Sequence, residues 1–234
     1  METKQKRGFN YNMQYLTELA HKHGTDRGLE YRHRHSGNGY TEIYGPIMDS
    51  IREDVRRVLE IGVHKGQGML MWQEYFPNAD IYGIEVFEPN NLWKAPEGPS
   101  YTEADTRIHV MVGHAGKQED LDKLIDNFGG DFDIIIDDGG HLSDQQQFSM
   151  GYLFPFLKSG GIYIIEDLKA PNHGPDYMGS EDTCRMISEY HNDKKIISSY
   201  MSEKQSKYIE QNIDSDDYQD TQGNGRLWIV KKKY

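Results

Sequence analysis

At 234 residues, 36% hydrophobic and 27% charged, the chain is sized for one packed domain with an elaboration, or at most two small ones, and has a globular, not disordered, composition. A formal net charge of -12 argues against nucleic acid as a partner, because such binding draws on dense Lys and Arg contacts to phosphate. Cys184 is the only cysteine, which excludes an internal disulfide and a cysteine-based zinc cluster; the amino terminus lacks the apolar core of a signal peptide and no apolar run is long enough to span a membrane, so a cytoplasmic protein with no membrane partner is expected.

In chain order, residues 11–20 suit a short helix, and the His- and Gly-rich stretch 21–40 is irregular, either a surface loop or a flap over an active site. Residues 41–52 read as helical after a break at Pro46. A regular rhythm then begins: strand 55–61, helix 66–76, strand 80–86, strand 107–113, helix 117–128, strand 132–138, helix 143–157 and strand 160–167. Ser143 and Gln146 have the spacing of a capping box. Beyond it, 183–190 reads as helix, 194–201 as strand, 203–225 as an exposed polar loop and 225–233 as a last strand, placed antiparallel at the sheet edge. Alternating strands and helices argue for an α/β fold, a doubly wound and mostly parallel sheet. The division expected is 1–54 as an amino-terminal helical and loop segment, and 55–234 as the main domain.

The first strand runs out through Glu60, Ile61 and Gly62, with Gly66 and Gly68 next; glycines there let the backbone approach a ligand and expose amides at a helix start. Glu85, 23 residues after Gly62, ends the second strand, where a carboxylate can accept from both hydroxyls of a ribose. Both NAD and S-adenosylmethionine sites use such a carboxylate. A dinucleotide loop would carry its second glycine at position 64, which is His64, so the spacing favours S-adenosylmethionine and leaves NAD and a purely structural turn as alternatives.

The fourth strand delivers Asp137 and Asp138 with His141 one turn on, and the fifth delivers Glu166 and Asp167. Open parallel sheets bind ligands beyond the carboxyl ends of their strands. Carboxylates gathered there repel one another unless paired, and an oxygen-rich set suits Mg²⁺, Mn²⁺ or Ca²⁺ better than zinc. A histidine nearby could accept a proton. The competing reading is ordinary: solvated strand ends, helix caps and a surface histidine.

Three phrases, Leu59-Glu60-Ile61-Gly62-Val63, Ile134 through His141, and Tyr163-Ile164-Ile165-Glu166-Asp167-Leu168, together resemble the metal-dependent sugar O-methyltransferases of macrolide tailoring, the mycinamicin and macrocin type, related to a family labelled cephalosporin hydroxylase. Lys22 to Arg27 and Tyr40 to Tyr44 also resemble that family's amino-terminal segment, which folds over the active site. The resemblance implies a class I S-adenosylmethionine-dependent methyltransferase fold with a final antiparallel strand. It further implies methyl transfer to a hydroxyl of a sugar or glycosylated small molecule, a Mg²⁺ (or Mn²⁺) site at Asp138, Glu166 and Asp167, His141 as general base, and Gly62 and Glu85 at the cofactor. Glu60 and Asp137 are assigned to the cofactor site as well. The family shows Gly-Asp-Gln after the third strand where this chain has Gly113, His114 and Ala115, so His114 is expected to rebuild the cofactor pocket. Trp93, Tyr101 and Tyr177 and the stretch 169–180 are candidates for contact with the acceptor, and a homo-oligomer is allowed. The rival readings are a catechol-type metal-dependent O-methyltransferase acting on a non-sugar molecule, an NAD-dependent sugar oxidoreductase, and a non-catalytic binding protein.

Overall fold

The computed structural model describes residues 15–28, 37–87, 107–168, 181–221 and 226–234. The expected acceptor contacts at Trp93, Tyr101, Tyr177 and 169–180 lie outside them. Seven strands form one sheet in the order β3-β2-β1-β4-β5-β7-β6, with β1 Arg57–Ile61, β2 Asp80–Glu85, β3 Ile108–Val112, β4 Phe132–Asp137, β5 Leu157–Ile165, β6 Ile213–Asp220 and β7 Arg226–Lys232. The first five pair in parallel, whereas β7 pairs antiparallel with both β5 and β6. The chain order reverses between β1 and β4, the position at which open α/β sheets part their flanking helices and admit ligands.

The inner strands are near-continuous apolar runs because helices cover both faces. Successive side chains alternate between two cores. Val58, Ile134, Ile136, Ile162 and Ile164 pack with α1 (residues 15–23), α2 (Tyr40–Met48) and α3 (Gln67–Tyr75). Leu59, Ile61, Ile135, Tyr163 and Ile165 pack with α4 (Gln118–Phe128), α5 (Ser143–Leu153), α6 (Glu181–Asp193) and α7 (Glu203–Asn212). Leu16, Leu19, Tyr40, Tyr44 and Met48 belong to the first core, so the amino-terminal helices share the sheet's own apolar interior.

Several local expectations need correction. Pro46 lies inside α2 and does not break it; a 3₁₀ turn, Asp49–Ile51, ends that stretch. The expected box at Ser143 and Gln146 does not form: the cap is Leu142, and the Ser143 hydroxyl accepts from the Thr183 amide at 3.2 Å. A complete capping box does form at Ser202 and Gln205, where it starts α7 inside a stretch expected to be loop. Residues 194–201 form no strand. The acidic run that includes Asp214, Asp217 and Asp220 is strand β6, and it, not β7, is the sheet edge. Charge on an exposed edge discourages pairing with a second sheet, which gives those aspartates a structural use.

Candidate active site

The carboxyl ends of β1, β2, β4 and β5 meet at one rim. Backbone bonds set their stagger: Gly62 N–H donates to Ile84 O at 3.0 Å, Asp138 N–H to Ile61 O at 2.9 Å, and Glu166 N–H to Asp137 O at 2.9 Å. A cavity of about 560 Å³ opens there, within the usual range of ligand pockets. Gly62, Glu85, His114, Asp137, Asp138, His141 and Asp167 all line it. Glu60 and Glu166, each 1% exposed, do not.

Gly62 has φ +83°, and a Cβ there would stand 2.2 Å from the Asp138 carbonyl oxygen, so only glycine permits the two strand ends to touch. At the other side of the loop, His64 N–H donates to Glu85 Oε2 at 2.7 Å and Val86 N–H to Oε1 at 2.7 Å. These amides stabilise the carboxylate and fix its plane while the residue stays at the cavity wall. His114 is held by its own backbone, with N–H to Asp120 Oδ2 at 3.0 Å, and its Nδ1 accepts from Gly116 N–H at 2.9 Å. An accepting Nδ1 leaves Nε2 as the protonated nitrogen, a hydrogen-bond donor.

Asp137 is turned into the sheet–helix interface; Oδ2 accepts from the Ser149 hydroxyl and Oδ1 from Gly139 N–H at 3.3 Å. Burial pushes its carboxyl above the ordinary range. Asp138, His141 and Asp167 come together, with one potential ligand atom from each lying within 4.8 Å of the others. His141 Nε2 is 3.5 Å from Asp167 Oδ2. His64, His141 and Asp167 all have left-handed backbone, φ +49°, +55° and +53°. Non-glycine residues held there are strained, and such strain gathers where a site dictates side-chain direction.

Glu166 is placed differently. Its carboxylate accepts from Arg27 Nε, 3.0 Å from both oxygens, and from the Tyr44 hydroxyl. Burial pushes its carboxyl up to about 7, against the opposing pull of the Arg27 charge and hydrogen bond. Arg27 Nη2 also meets Asp138 Oδ2 at 2.7 Å and Glu60 Oε1 at 2.9 Å. Tyr40 donates to Asp167 Oδ1 at 2.7 Å and accepts from the Asp167 amide at 3.1 Å. Of the acids expected to hold a cation, Asp138 and Asp167 thus share the rim with His141, while Glu166 is enclosed by Arg27 and Tyr44. Glu60 faces Arg27 instead of the cavity. Arg27, Tyr40 and Tyr44 were not among the sequence candidates, although the two phrases that contain them were singled out.

The surrounding sequence has known counterparts. Residues 59–168 match a family model described as a methyltransferase domain. An 8-demethyl-8-(2-methoxy-alpha-L-rhamnosyl)-tetracenomycin-C 3'-O-methyltransferase from Streptomyces olivaceus is 33% identical over 161 residues, 65% of this chain and 36% of that protein. The mycinamicin VI 2''-O-methyltransferase of Micromonospora griseorubida is 32% identical over 155 residues, 62% of this chain and 36% of that one. The chain therefore spans about a third of the length of these relatives. Among solved structures, the MycE methyltransferase of mycinamycin biosynthesis in complex with Mg and SAH covers 93% of this chain and 54% of its own, at 25% identity and a TM-score of 0.65. The same enzyme with mycinamycin VI also bound gives a TM-score of 0.68 at 24% identity, with 93% and 54% covered. The chain has the class I methyltransferase fold, and in sequence it resembles the sugar O-methyltransferases that tailor macrolides and tetracenomycins.

Proposed function

We propose that the chain is an S-adenosylmethionine-dependent, Mg²⁺-dependent O-methyltransferase acting on a hydroxyl of a sugar or glycosylated small molecule. The observation that carries the reading is a single cavity with Glu85 and Gly62 in its wall together with Asp138, His141 and Asp167. Supporting it, the relatives named above are O-methyltransferases of rhamnosyl and mycinamicin acceptors, and the MycE structures hold Mg and SAH.

Glu85, its plane fixed by the His64 and Val86 amides, would accept from the ribose hydroxyls; His114 Nε2–H offers a donor in the same cavity. The acidic group fits a hard divalent cation. One ligand atom each from Asp138, His141 and Asp167 lies within 4.8 Å of the others; neighbouring ligands of one Mg²⁺ at about 2.1 Å stand about 3 Å apart, so the group would draw in by up to about 2 Å on binding the ion. Asp138 and Asp167 would hold it, with Glu166 as the third carboxylate of the same strand ends. When bound, the cation draws charge from an acceptor hydroxyl and fixes its position. His141, beside Asp167, would take the hydroxyl proton as the oxygen forms its bond to the methyl carbon and the carbon–sulfur bond breaks. Methyl transfer needs the attacking oxygen, carbon and sulfur in line, so orientation is the chief contribution of these side chains.

A calorimetric titration tests the cofactor half. S-adenosylhomocysteine should bind in the micromolar range, roughly 1 μM–1 mM as for ordinary enzyme ligands, and NAD should not bind comparably. The reverse preference would sink the methyltransferase reading.

A further inference from the structure

We infer that Arg27 is the positioning residue of the metal site: its guanidinium, delivered by the amino-terminal segment, ties Asp138 to the buried Glu166 and so holds Asp138 beside His141 and Asp167, where a divalent cation would bind. The inference rests on the proposed function and adds a residue to it. Arg27 is 3% exposed and meets three carboxylates, from the ends of β1, β4 and β5: Glu60, Asp138 and Glu166. Two other part-buried arginines do something else. Arg57 reaches the carbonyls of Phe128 and Gly130, and Arg107 those of Gln73, Phe76 and Ala79, which is the work of tying loops. Arg27 alone among these three is aimed into acids.

The surroundings are built for it. A Cβ at position 68 would lie 2.4 Å from Arg27 Nη1, so Gly68 is the space the guanidinium occupies. Its backbone is tied to the start of α2, with Arg27 O accepting from the Thr41 amide at 3.0 Å. Its charge centre sits 5.7 Å from the Trp72 ring centroid. Tyr44 on Glu166 and Tyr40 on Asp167 complete the hold from the same segment.

Charge alone would have been served by any cation. Arg27 places one positive charge among Glu60, Asp138 and Glu166. The planar fork does more, because Nε and Nη2 engage different acids at once and set their relative orientation. Partners that orient metal ligands in this way are typically worth ~10–100-fold in metal affinity.

The test is Mn²⁺ binding, followed by the loss of the free-ion paramagnetic resonance signal, on the full chain. Wild type, Arg27→Lys and Arg27→Met are compared, with circular dichroism and S-adenosylhomocysteine binding measured beside it. Arg27→Met should weaken Mn²⁺ by ~10–100-fold. Arg27→Lys keeps the charge but loses the fork, so it should also bind Mn²⁺ several-fold less tightly than wild type, roughly at the lower end of that span. S-adenosylhomocysteine affinity should stay near wild type, since Arg27 does not line the cavity. Wild-type or tighter Mn²⁺ binding in folded Arg27→Met overturns the inference and makes the arginine a competitor or a bystander. If Arg27→Met does not fold, Arg27→Lys decides: wild-type affinity there overturns it equally. Failure of wild type itself to bind Mn²⁺ would remove the metal from the proposed function and the inference with it.

Discussion

Gly62→Ala tests whether the site depends on the contact between the ends of β1 and β4. The new Cβ would stand 2.2 Å from the Asp138 oxygen, 2.7 Å from its carbonyl carbon and 2.7 Å from Gly139 Cα, all backbone atoms. They cannot step aside freely, because Asp138 N–H is bound to Ile61 O and Glu166 N–H to Asp137 O. Two costs add: about 1–2 kcal/mol for an alanine at φ +83°, and about 1–3 kcal/mol for forcing volume into a packed position. The sum, about 2–5 kcal/mol, corresponds to a Tm loss of roughly 4–20 °C for a chain of this size. Gly24→Ala is the control, since φ is +71° but nothing lies within 4 Å of the added carbon. It should lose only the conformational part, about 1–2 kcal/mol or roughly 2–8 °C. Thermal unfolding of both variants, with S-adenosylhomocysteine titration of the folded fraction, reads the difference. Equal Tm losses, with ligand affinity intact in Gly62→Ala, would refute the claim that strand-end contact shapes the cavity.

Other expectations follow from single side chains. Glu85→Ala should weaken S-adenosylhomocysteine binding by about 1.5–3 kcal/mol, the worth of a hydrogen bond to a charged group; calorimetry showing less than a threefold change would take Glu85 off the ribose. His141→Ala should fold and bind cofactor yet lower kcat by about 10²–10⁴-fold, and full activity in the folded variant would remove the base. The Lys22 and His23 contacts to Glu74, at 2.6 and 2.8 Å, clip α1 to α3. Partial burial pushes the Glu74 carboxyl up, but these two partners outweigh it and hold it below its ordinary value of 4.5. A depressed folded value means the clip stabilises above pH 4.5 and is lost as pH falls through that folded value. Amide exchange in residues 15–23 should therefore quicken relative to the β-sheet on acidification, an acceleration that Glu74→Gln abolishes; a variant indistinguishable from wild type would deny the clip any role.

What the sequence disclosed follows from which forces are local. The inner strands β1, β2, β4 and β5 were readable because burial on both faces favours apolar runs, and the glycines between them mark turns that other residues resist. Asp138, Glu166 and Asp167 were readable because they come directly after such runs, and His141 because it comes one turn later. Arg27 was not, since Asp138 and Glu166 lie 111 and 139 residues away and no periodicity links them. The phrases containing Arg27, Tyr40 and Tyr44 drew notice by resemblance, yet nothing local says that a guanidinium and two phenols turn inward. The error over 203–225 has a different source. Strand β6 is polar on an exposed edge and so lacks the alternation that signals a strand, and α7 buries only Ser206 and Ile209. Ser143 and Gln146 had the letters of a capping box, but tertiary partners took them: the Thr183 amide for Ser143, the Glu166 carbonyl for Gln146.

The proposed reaction is methyl transfer to a glycoside hydroxyl at the rim formed by Glu85, Asp138, His141 and Asp167. The most direct test supplies S-adenosylmethionine with a carbon-13-labelled methyl group, Mg²⁺ and a panel of rhamnosylated and hexosylated acceptors, and follows the label by heteronuclear NMR. A new methoxy signal correlated to a sugar ring carbon should form, absent after EDTA and restored by Mg²⁺. A methoxy signal that forms at the same rate in EDTA, or a label that reaches only non-sugar atoms, would contradict it.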